Sequence, residues 1–245
     1  MTPAAALLRE KSTALFDAGF TLLEPTRPVL ESYLAEAAAV GAAVDPQAFA
    51  AAFRLAWPRA LVEYRSKHPD LKSSEALERA AWLEFTANLA ADFPALAVRQ
   101  RDWHTRLVAW FDAPAAWRPT SGARELLAEL RGAGKKLAVA SNWHGALPGL
   151  LAAHGLADCF DAIVTSAGAG RKKPHAELFA IALAAVGGVP DDAVHIGDSW
   201  EEDVLGAQAA GISVVWLAPD SASAAAASST CTVRSLGELR SPQAA

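Results

Sequence analysis

Apolar residues along this chain gather in five short runs, and the first four are each followed directly by small or turn-forming residues. The runs are rich in alanine and β-branched residues and occupy residues 13–19, 136–142, 162–168, 193–199 and 212–219. Runs of this length, bounded by turn residues, are typical of buried β-strands. The pattern therefore predicts five strands.

Helical patterns of about a dozen residues separate the later runs. One is SGARELLAELRGAG, with Ser121 near its start and Gly132 at its end, and another begins at Pro174, a residue type that favours the first turn of a helix. A third, EEDVLGAQAAG, ends at Gly211. This alternation of strands and helices predicts an α/β fold with a Rossmann-like, doubly wound parallel sheet.

One long segment, residues 25–113, carries no strand pattern and interrupts this alternation after the first run. Four helices are predicted in it. The first ends near Gly41, the second opens with Asp45 and Pro46 and is kinked at Pro58, the third follows Ser74, and the fourth runs through VRQRDWHTRLVAWF. The sequence therefore predicts an all-helical cap domain, residues 24–113, inserted into a discontinuous core domain, residues 1–23 and 114–245.

Polar residues stand where several of the predicted strands end. Asp17 ends the first strand, Ser141 and Asn142 end the second, Asp198 ends the fourth, and Lys173 lies shortly after the third. In an open parallel sheet, ligands bind beyond the carboxyl ends of the strands. We therefore expect two carboxylates, a hydroxyl and a nearby pair of lysines to converge on one crevice beside the helical insertion.

Composition narrows the class of protein. The net charge of −5, without a block of like charges, provides no basic surface for nucleic acid or for an anionic membrane. No apolar stretch approaches the ~18 residues of a membrane span, and the first residues lack the basic segment of a secretion signal, so a cytoplasmic protein is expected. Cys159 and Cys231 are expected to be structural thiols, and residues 221–230, rich in alanine, a surface loop. The sequence carries no signal of oligomeric state.

Four motifs, in this order, resemble those of the haloacid dehalogenase (HAD) superfamily of hydrolases, in the group with a helical cap after the first strand. FDAGFTLL resembles the first motif, D-x-x-x-T, with Asp17 at its start, and LAVASNW resembles the second, with Ser141 at the strand end. RKKPHAELF resembles the third, with Lys173 before a proline, and VHIGDSWEEDVLGAQAAG resembles the fourth, with Asp198 and Asp203 as its carboxylates. The resemblance spans nearly the whole chain.

The resemblance implies phosphoryl transfer to a carboxylate of the protein. Asp17 would attack phosphorus and form an aspartyl-phosphate, which water would then hydrolyse. Ser141 and Lys173 would act in catalysis. Together with Asn142 and the backbone amides of a helix expected to start directly after it, they would bind the phosphoryl oxygens of a small phosphorylated substrate.

The same resemblance implies Mg²⁺ as the cofactor, because this hard cation prefers oxygen ligands. Asp17, the backbone carbonyl of Gly19 and Asp198 would hold it. Asp203 completes the predicted metal set and would act through water or by orienting the direct ligands. A cation between these carboxylates would also offset their mutual repulsion.

The chain departs from the family pattern at Gly19. Most phosphatases of this superfamily carry an aspartate two residues after the nucleophile, as general acid for the leaving oxygen, and such an acid is typically worth ~10² to 10⁴ in rate. A subgroup with a non-acidic residue here and a W-x-x-x-x-G-A-x-E-L-L segment resembles the chain most, matching WRPTSGARELLAEL from Trp117. The phosphatase would then act slowly, use a leaving group that needs little protonation, or take an acid from the cap.

Three other functions stay open at this point. A 2-haloacid dehalogenase needs no proton for its leaving halide, although such enzymes dispense with the carboxylate that matches Asp198. A phosphonate C–P hydrolase would need a cap lysine for a Schiff base, and Lys67 and Lys72 are expected to be solvated instead. The third is a degenerate family member that binds a phosphorylated ligand or a partner without turnover.

Several further residues are candidates for smaller roles. His144 could donate the missing proton, although a surface position at a helix start is favoured, and His195 is expected to be a hydrogen-bonded core residue. The glycines of SAGAGRKK do not form a dinucleotide loop, because Lys173 stands where the third glycine would be needed. Cap residues that could select the substrate on closure are Arg54, Trp57, Arg59, Tyr64 and Trp82.

Overall fold

The computed structural model describes residues 2–218 and 231–241. Its strands are β1 (Thr13–Phe16), β2 (Leu23–Pro25), β3 (Trp117–Pro119), β4 (Lys136–Ser141), β5 (Ala162–Thr165), β6 (Ala193–Gly197), β7 (Ser213–Leu217) and β8 (Cys231–Val233). Its α-helices are α1 (Pro3–Glu10), α2 (Val29–Ala39), α3 (Pro46–Lys67), α4 (Glu75–Ala91), α5 (Pro94–Ala97), α6 (Gln100–Phe111), α7 (Ala123–Gly132), α8 (Leu147–Ala153), α9 (Ser166–Ala169), α10 (Ala176–Ala185) and α11 (Gly206–Ala209). The predicted alanine-rich loop, residues 221–230, lies outside the described residues.

Six strands form a parallel sheet in the order β5-β4-β1-β6-β7-β8. All five predicted strands belong to it, which confirms the α/β fold with a doubly wound parallel sheet. From β1 the chain builds outward to β4 and β5 on one side and then returns to β6 and β7 on the other. The strand order therefore reverses at β1, and a crevice at the carboxyl end of that strand is where ligands bind in such sheets.

Apolar side chains cover both faces of the sheet. In β1 the alternating direction of the side chains sends Phe16 into one core, with Leu126 of α7 and Leu150 of α8, while Leu15 enters the other, with Phe179 of α10. Because both faces are covered by helices, the strands are apolar throughout rather than alternating. Apart from His195 in β6 and Thr232 in β8, the polar residues of the sheet stand at strand ends.

Four main helices, α2, α3, α4 and α6, occupy the segment between β2 and β3, as predicted, with the short α5 in addition. Their starts follow the expected capping: Oδ1 of Asp45 accepts a hydrogen bond from the amide of Ala48 at 2.7 Å, and Oγ of Ser74 accepts one from Leu77 at 3.2 Å. Helix α3 continues through Pro58 to Lys67. The limits of the two domains, at residues 23/24 and 113/114, stay a prediction.

Some local predictions were wrong or incomplete. Helix α10 begins at Ala176, because the imidazole of His175 caps the amide of Glu177, so Pro174 precedes the helix instead of opening it. The EEDVLGAQAAG helix starts as a π-helical segment, Trp200–Leu205, before α11. Strands β2 and β3, which pair as an antiparallel ribbon, and β8 were missed, because three residues are too few to establish a period. Within the described residues, no helix combines the length and hydropathy needed to cross a membrane.

Candidate active site

The nucleophile candidate, Asp17, directly follows the central strand. Phe16 pairs with Val139 of β4 and Ile196 of β6, and the amide of Asp17 continues this pairing by donating to the carbonyl of Ile196 at 2.9 Å. Asp17 is only 7% exposed. The register therefore places its carboxylate next to the end of β6, from which Asp198 follows.

Lys173 joins the strand ends. Its Nζ lies 2.5 Å from Oδ1 of Asp17 and 2.6 Å from Oδ1 of Asp203, and the residue is 2% exposed. The backbone of Lys173 is held by Asn142, whose Oδ1 accepts from the Lys173 amide at 2.7 Å and whose Nδ2 donates to its carbonyl at 3.1 Å. Asn142, which directly follows β4, therefore positions Lys173.

Three partners fix the carboxylate of Asp203. Besides Lys173, Nε2 of His195 lies 2.8 Å from its Oδ1, and the amide of Ser199 donates to its Oδ2 at 2.9 Å. A Cβ atom at Gly197 would lie 2.2 Å from its Cγ, so only glycine leaves room for this carboxylate. With both oxygens occupied, Asp203 is built to orient its neighbours.

The charges of these groups are strongly interdependent. Burial, opposed by Lys173, raises the pKa of Asp17, and burial together with the charges of Asp17 and Asp203 raises the pKa of Asp198 to about 7. Burial alone would lower the pKa of Lys173, but Asp17 and Asp203 outweigh it and hold that pKa above its ordinary value. Although Asp203 is buried, Lys173 and His195 keep its pKa well below the ordinary range. A single ammonium thus faces three carboxylates.

This acidic cluster fits a divalent cation. One carboxylate oxygen from each of Asp17, Asp198 and Asp203 lies within 4.8 Å of the others. The three backbone hydrogen bonds that close the turn after Asp17 use the carbonyls of Ala18 and Leu23, so the Gly19 carbonyl is not consumed by them. A donor set made of oxygens with excess negative charge suits Mg²⁺ better than soft metals.

Ser141 ends β4 in the predicted place and is buried. The prediction that a helix begins directly after Asn142 was wrong: residues 143–146 form a loop, and α8 begins at Leu147. The amide of Trp143 is already used, since it donates to the carbonyl of Ser141 at 2.9 Å. Amides for a phosphoryl group would therefore come from loop backbone and not from a helix terminus.

The sequence matches the family model of the haloacid dehalogenase-like hydrolases over residues 11–211. The chain belongs to this family of hydrolases. The HAD motifs Asp17, Ser141, Lys173 and Asp198 all lie within the matched residues, and the structure brings Asp17, Lys173, Asp198 and Asp203 together. Their individual roles stay predictions.

Two curated relatives illustrate the range of HAD hydrolases that this chain is similar to. Haloacid dehalogenase-like hydrolase domain-containing protein 3 of Homo sapiens is 34% identical over 80% of this chain and 78% of its own length. Pyrimidine 5'-nucleotidase YjjG of Escherichia coli is 31% identical over 60% of this chain and 70% of its own. Among solved structures, the putative HAD-hydrolase YfnB of Bacillus subtilis superposes with a TM-score of 0.69 at 18% identity, covering 94% of this chain and 97% of that one, which is a likeness of fold.

The helical insertion of this HAD hydrolase contacts the core next to Lys173. The turn between α3 and α4 runs beside residues 170–172: the amide of Ser73 donates to the carbonyl of Gly170 at 3.0 Å, and the amide of Lys172 donates to that of Leu71 at 2.9 Å. Glu75 at the start of α4 accepts from the amide of Gly145 in the loop after β4. The insertion thus touches both residues 170–173, called here the lysine loop, and the loop after Ser141.

The contacts of His195 and His144 bear on the roles predicted for these two histidines. His195 is completely buried and bonded to Asp203, which confirms the predicted core role. Nδ1 of His144 accepts a hydrogen bond from the amide of Ala146 at 3.3 Å, and Nε2 lies 3.3 Å from Oδ1 of Asp112. The structure therefore gives no support to His144 as the missing acid.

The cap candidates divide into interior and exposed residues. Trp82 donates to the hydroxyl of Tyr33 at 2.9 Å and belongs to the interior of the helical segment, and Tyr64 donates to the carbonyl of Lys72 at 2.6 Å. Arg59 lines a groove of about 300 Å³ between α3 and α4, whose lining residues all come from these helices and the residue after α4. The remaining candidates, Arg54 and Trp57, are exposed on α3, and the cap lysines Lys67 and Lys72 form exposed ion pairs, as expected.

Two site residues were not found from the sequence. Trp143 lies against Gly19, and Glu202, next to Asp203, has its pKa raised by burial. Gly19 and Trp143 are distant in the chain, and the position of Glu202 depends on the π-helical segment after Ser199. The only available signal was their position beside motif residues.

Proposed function

We propose that this protein is a Mg²⁺-dependent phosphatase that hydrolyses a small phosphorylated substrate through an aspartyl-phosphate on Asp17. The observation that carries the proposal is the contact of Asp17 with Lys173 at 2.5 Å inside a cluster that also contains Asp198 and Asp203. Four residues from three motifs converge there although they are distant in sequence. Packing alone offers no reason to gather three carboxylates, two of them buried, around one ammonium.

Each group has a task in this proposal. Asp17, the Gly19 carbonyl and Asp198 would hold Mg²⁺, which would supply charge neutralisation and orientation. Lys173 balances the charge of the nucleophile and the phosphoryl group, while Asp203 and Asn142 hold Lys173. Ser141 donates a hydrogen bond to a phosphoryl oxygen.

The helical segment, residues 24–113, acts as the cap domain in this proposal and closes over the substrate. The protein is proposed to work in the cytoplasm. The phosphatase function is preferred to the dehalogenase because Asp198 is present and shares the acidic cluster. The name of the E. coli relative, a pyrimidine 5'-nucleotidase, makes nucleoside monophosphates one class of substrate to include in a screen.

The test is a screen for inorganic phosphate release from p-nitrophenyl phosphate, acetyl phosphate, sugar phosphates and nucleoside monophosphates, with Mg²⁺ or with a chelator. The expected result is phosphate release that the chelator abolishes and that the Asp17→Asn variant lacks. Halide release from 2-haloacids that is indifferent to the chelator would establish the dehalogenase instead. Binding of a phosphate analogue such as vanadate without any turnover would establish the non-catalytic binder.

A further inference from the structure

A histidine lies inside the central sheet, two residues before the end of β6. His195 is completely buried and is the one residue of β6 with a polar side chain. Its neighbours across the sheet are Leu15 of β1 and Val214 of β7. A polar group in such a place lowers stability unless a partner compensates it, so the contacts of this imidazole require an explanation.

Asp203 packs against two positions of the same strand. Positions 195 and 197 face one side of the sheet, because they are two residues apart in β6. Nε2 of His195 lies 2.8 Å from Oδ1 of Asp203, and the place that a side chain at Gly197 would take is occupied by the Asp203 carboxylate. Strand β6 therefore holds this carboxylate on the face of the sheet that α10 covers.

The contacts of the imidazole indicate which of its nitrogens carries a proton. A carboxylate oxygen only accepts hydrogen bonds, so Nε2 is the donor to Asp203. The ring packs edge-on against Phe179 with centroids 5.1 Å apart, and its Nδ1 is buried without a hydrogen-bond partner among the described residues. A proton on Nδ1 would find no acceptor there. The contacts therefore fit the neutral imidazole with its proton on Nε2.

Oδ1 of Asp203 serves two donors. Besides Nε2 of His195, it lies 2.6 Å from Nζ of Lys173, and the same Nζ lies 2.5 Å from Oδ1 of Asp17. The other oxygen of Asp203 accepts from the amide of Ser199 at 2.9 Å. Because each oxygen has a donor of its own, the carboxylate cannot rotate without losing a hydrogen bond. A change at His195 therefore reaches Lys173 and Asp17 through one carboxylate.

We propose that His195 is a positioning residue of the active site: its Nε2 proton holds Oδ1 of Asp203 toward Lys173, and Asp203 in turn holds the Lys173 ammonium beside Asp17. The effect on turnover rests on the proposed phosphatase function. Removing a partner that orients a ligand or catalytic group typically lowers activity about 10- to 100-fold. The unpaired Nδ1 has a reason in this proposal, since an apolar side chain would avoid it but would leave Asp203 without its second donor.

Three substitutions at position 195 separate the hydrogen-bond donor from the bulk of the ring. His195→Gln places an amide nitrogen near the place of Nε2, His195→Asn, one methylene shorter, places it near Nδ1, and His195→Leu has no donor. With a substrate from the phosphatase screen, in Mg²⁺, kcat is expected to fall about 10- to 100-fold in His195→Leu and His195→Asn, with KM little changed. His195→Gln is expected to keep most of kcat.

Equal losses of kcat in the three variants would overturn the proposal, because the donor would then make no difference. If His195→Leu does not fold, the comparison of His195→Gln with His195→Asn decides, since both place an amide in the same core. Circular dichroism and thermal unfolding establish which variants are folded.

Phe179→Leu is the matched structural control. It removes the ring that packs on His195 and leaves the bond to Asp203 in place. It is expected to lower the thermal stability, because it removes buried apolar volume, while kcat stays unchanged. A loss of kcat in Phe179→Leu as large as that in His195→Leu would assign a packing role to His195 and overturn the proposal.

Heteronuclear NMR of the isotope-labelled, metal-free protein tests the same contacts without turnover. The chain has 6 histidines, and the imidazole signals that disappear in His195→Gln belong to His195. They are expected to show a proton on Nε2 and none on Nδ1. The ammonium of Lys173, assigned by its absence in Lys173→Arg, is expected to give a slowly exchanging signal that His195→Gln keeps and His195→Leu loses.

A proton on Nδ1 alone, or an ammonium signal that His195→Leu leaves unchanged, would overturn the positioning role. Absence of phosphate release from every compound in the screen would refute the phosphatase function instead. In that case the two NMR signals still decide whether His195 positions Asp203 and Lys173.

Discussion

Nζ of Lys172 lies 2.7 Å from Oε2 of Glu78, and this ion pair joins the helical segment to the residue before Lys173. The two side chains are only 19% and 16% exposed, and Oγ of Ser73 donates to the other oxygen of Glu78 at 2.5 Å. Nζ of Lys172 also lies 4.7 Å from the ring centroid of Tyr64. The position of the lysine loop is therefore linked to the position of α4.

Replacing Glu78 should weaken this connection. Glu78→Gln is expected to lower the free energy of unfolding by about 1–3 kcal/mol, because a nearly buried ammonium loses its charged partner. It is also expected to lower kcat/KM, since Lys173 follows Lys172 directly. Denaturant unfolding and steady-state kinetics measure the two effects.

A matched control is available on the same helix. Glu84 pairs with Lys67, but both side chains are about half exposed, at 47% and 46%. Glu84→Gln should leave stability nearly unchanged and kcat/KM unaltered, because exposed ion pairs contribute little. Equal effects of the two substitutions would remove any special importance of the Glu78–Lys172 pair.

Removing the ammonium of Lys173 should unbalance the acidic cluster. In Lys173→Met, the carboxylates of Asp17 and Asp203 lose their buried counter-charge, so a loss of about 3–5 kcal/mol of stability without metal is expected, together with loss of turnover. Added Mg²⁺ should restore part of the stability, because a cation binds this variant's native state and not its unfolded state. Thermal unfolding of Lys173→Met and Asp17→Asn/Lys173→Met, with and without Mg²⁺, measures this. Similar stability of the two variants would contradict it, since the second contains one carboxylate less.

The raised pKa of Asp198 gives cation binding a pH dependence. Without metal, burial and the neighbouring Asp17 and Asp203 raise this pKa from 3.8 to about 7. Because the folded pKa is raised, the protonated carboxyl favours the metal-free fold at low pH, and this contribution disappears as pH rises through about 7. Binding of Mg²⁺ must displace that proton, so its affinity should fall as pH drops below about 7 and level off above it.

Isothermal titration calorimetry with MgCl₂ between pH 5.5 and 8.5 measures this affinity, and proton release in buffers of different ionisation enthalpy reports the displaced proton. An affinity that is constant across the range would contradict the argument. Asp198→Asn serves as the control. It should bind Mg²⁺ weakly and lose most of the proton release.

Asn142 allows two roles to be separated. The sequence assigned it to the substrate, but its amide group makes two hydrogen bonds to the backbone of Lys173. Asn142→Ala should therefore lower stability by about 1–3 kcal/mol, at about 0.5–1.5 kcal/mol for each bond, and reduce kcat through a displaced Lys173. A rise in KM alone, with unchanged stability and kcat, would assign Asn142 to the substrate after all.

Much of the fold is readable from local patterns. The strands of the sheet that have four residues or more were all predicted, because parallel strands covered on both faces are apolar throughout. The starts of α3 and α4 followed from Asp45 and Ser74, whose side chains bond to amides only three residues away. The three-residue strands were not predicted, since they depend on their pairing partners. The start of α10 was not predicted either, since His175, and not Pro174, provides the cap of this helix.

The sequence by itself determined the order of the elements and which polar residues stand at strand ends, because periodicity, capping and turn formation act over a few neighbouring residues. Only the tertiary structure decided that Trp143 lies against Gly19, that Asn142 holds Lys173, and that Glu78 joins the helical segment to the lysine loop. These contacts link residues 31 to 124 positions apart in the chain. Their existence depends on strand register and on helix packing, which a local pattern does not encode.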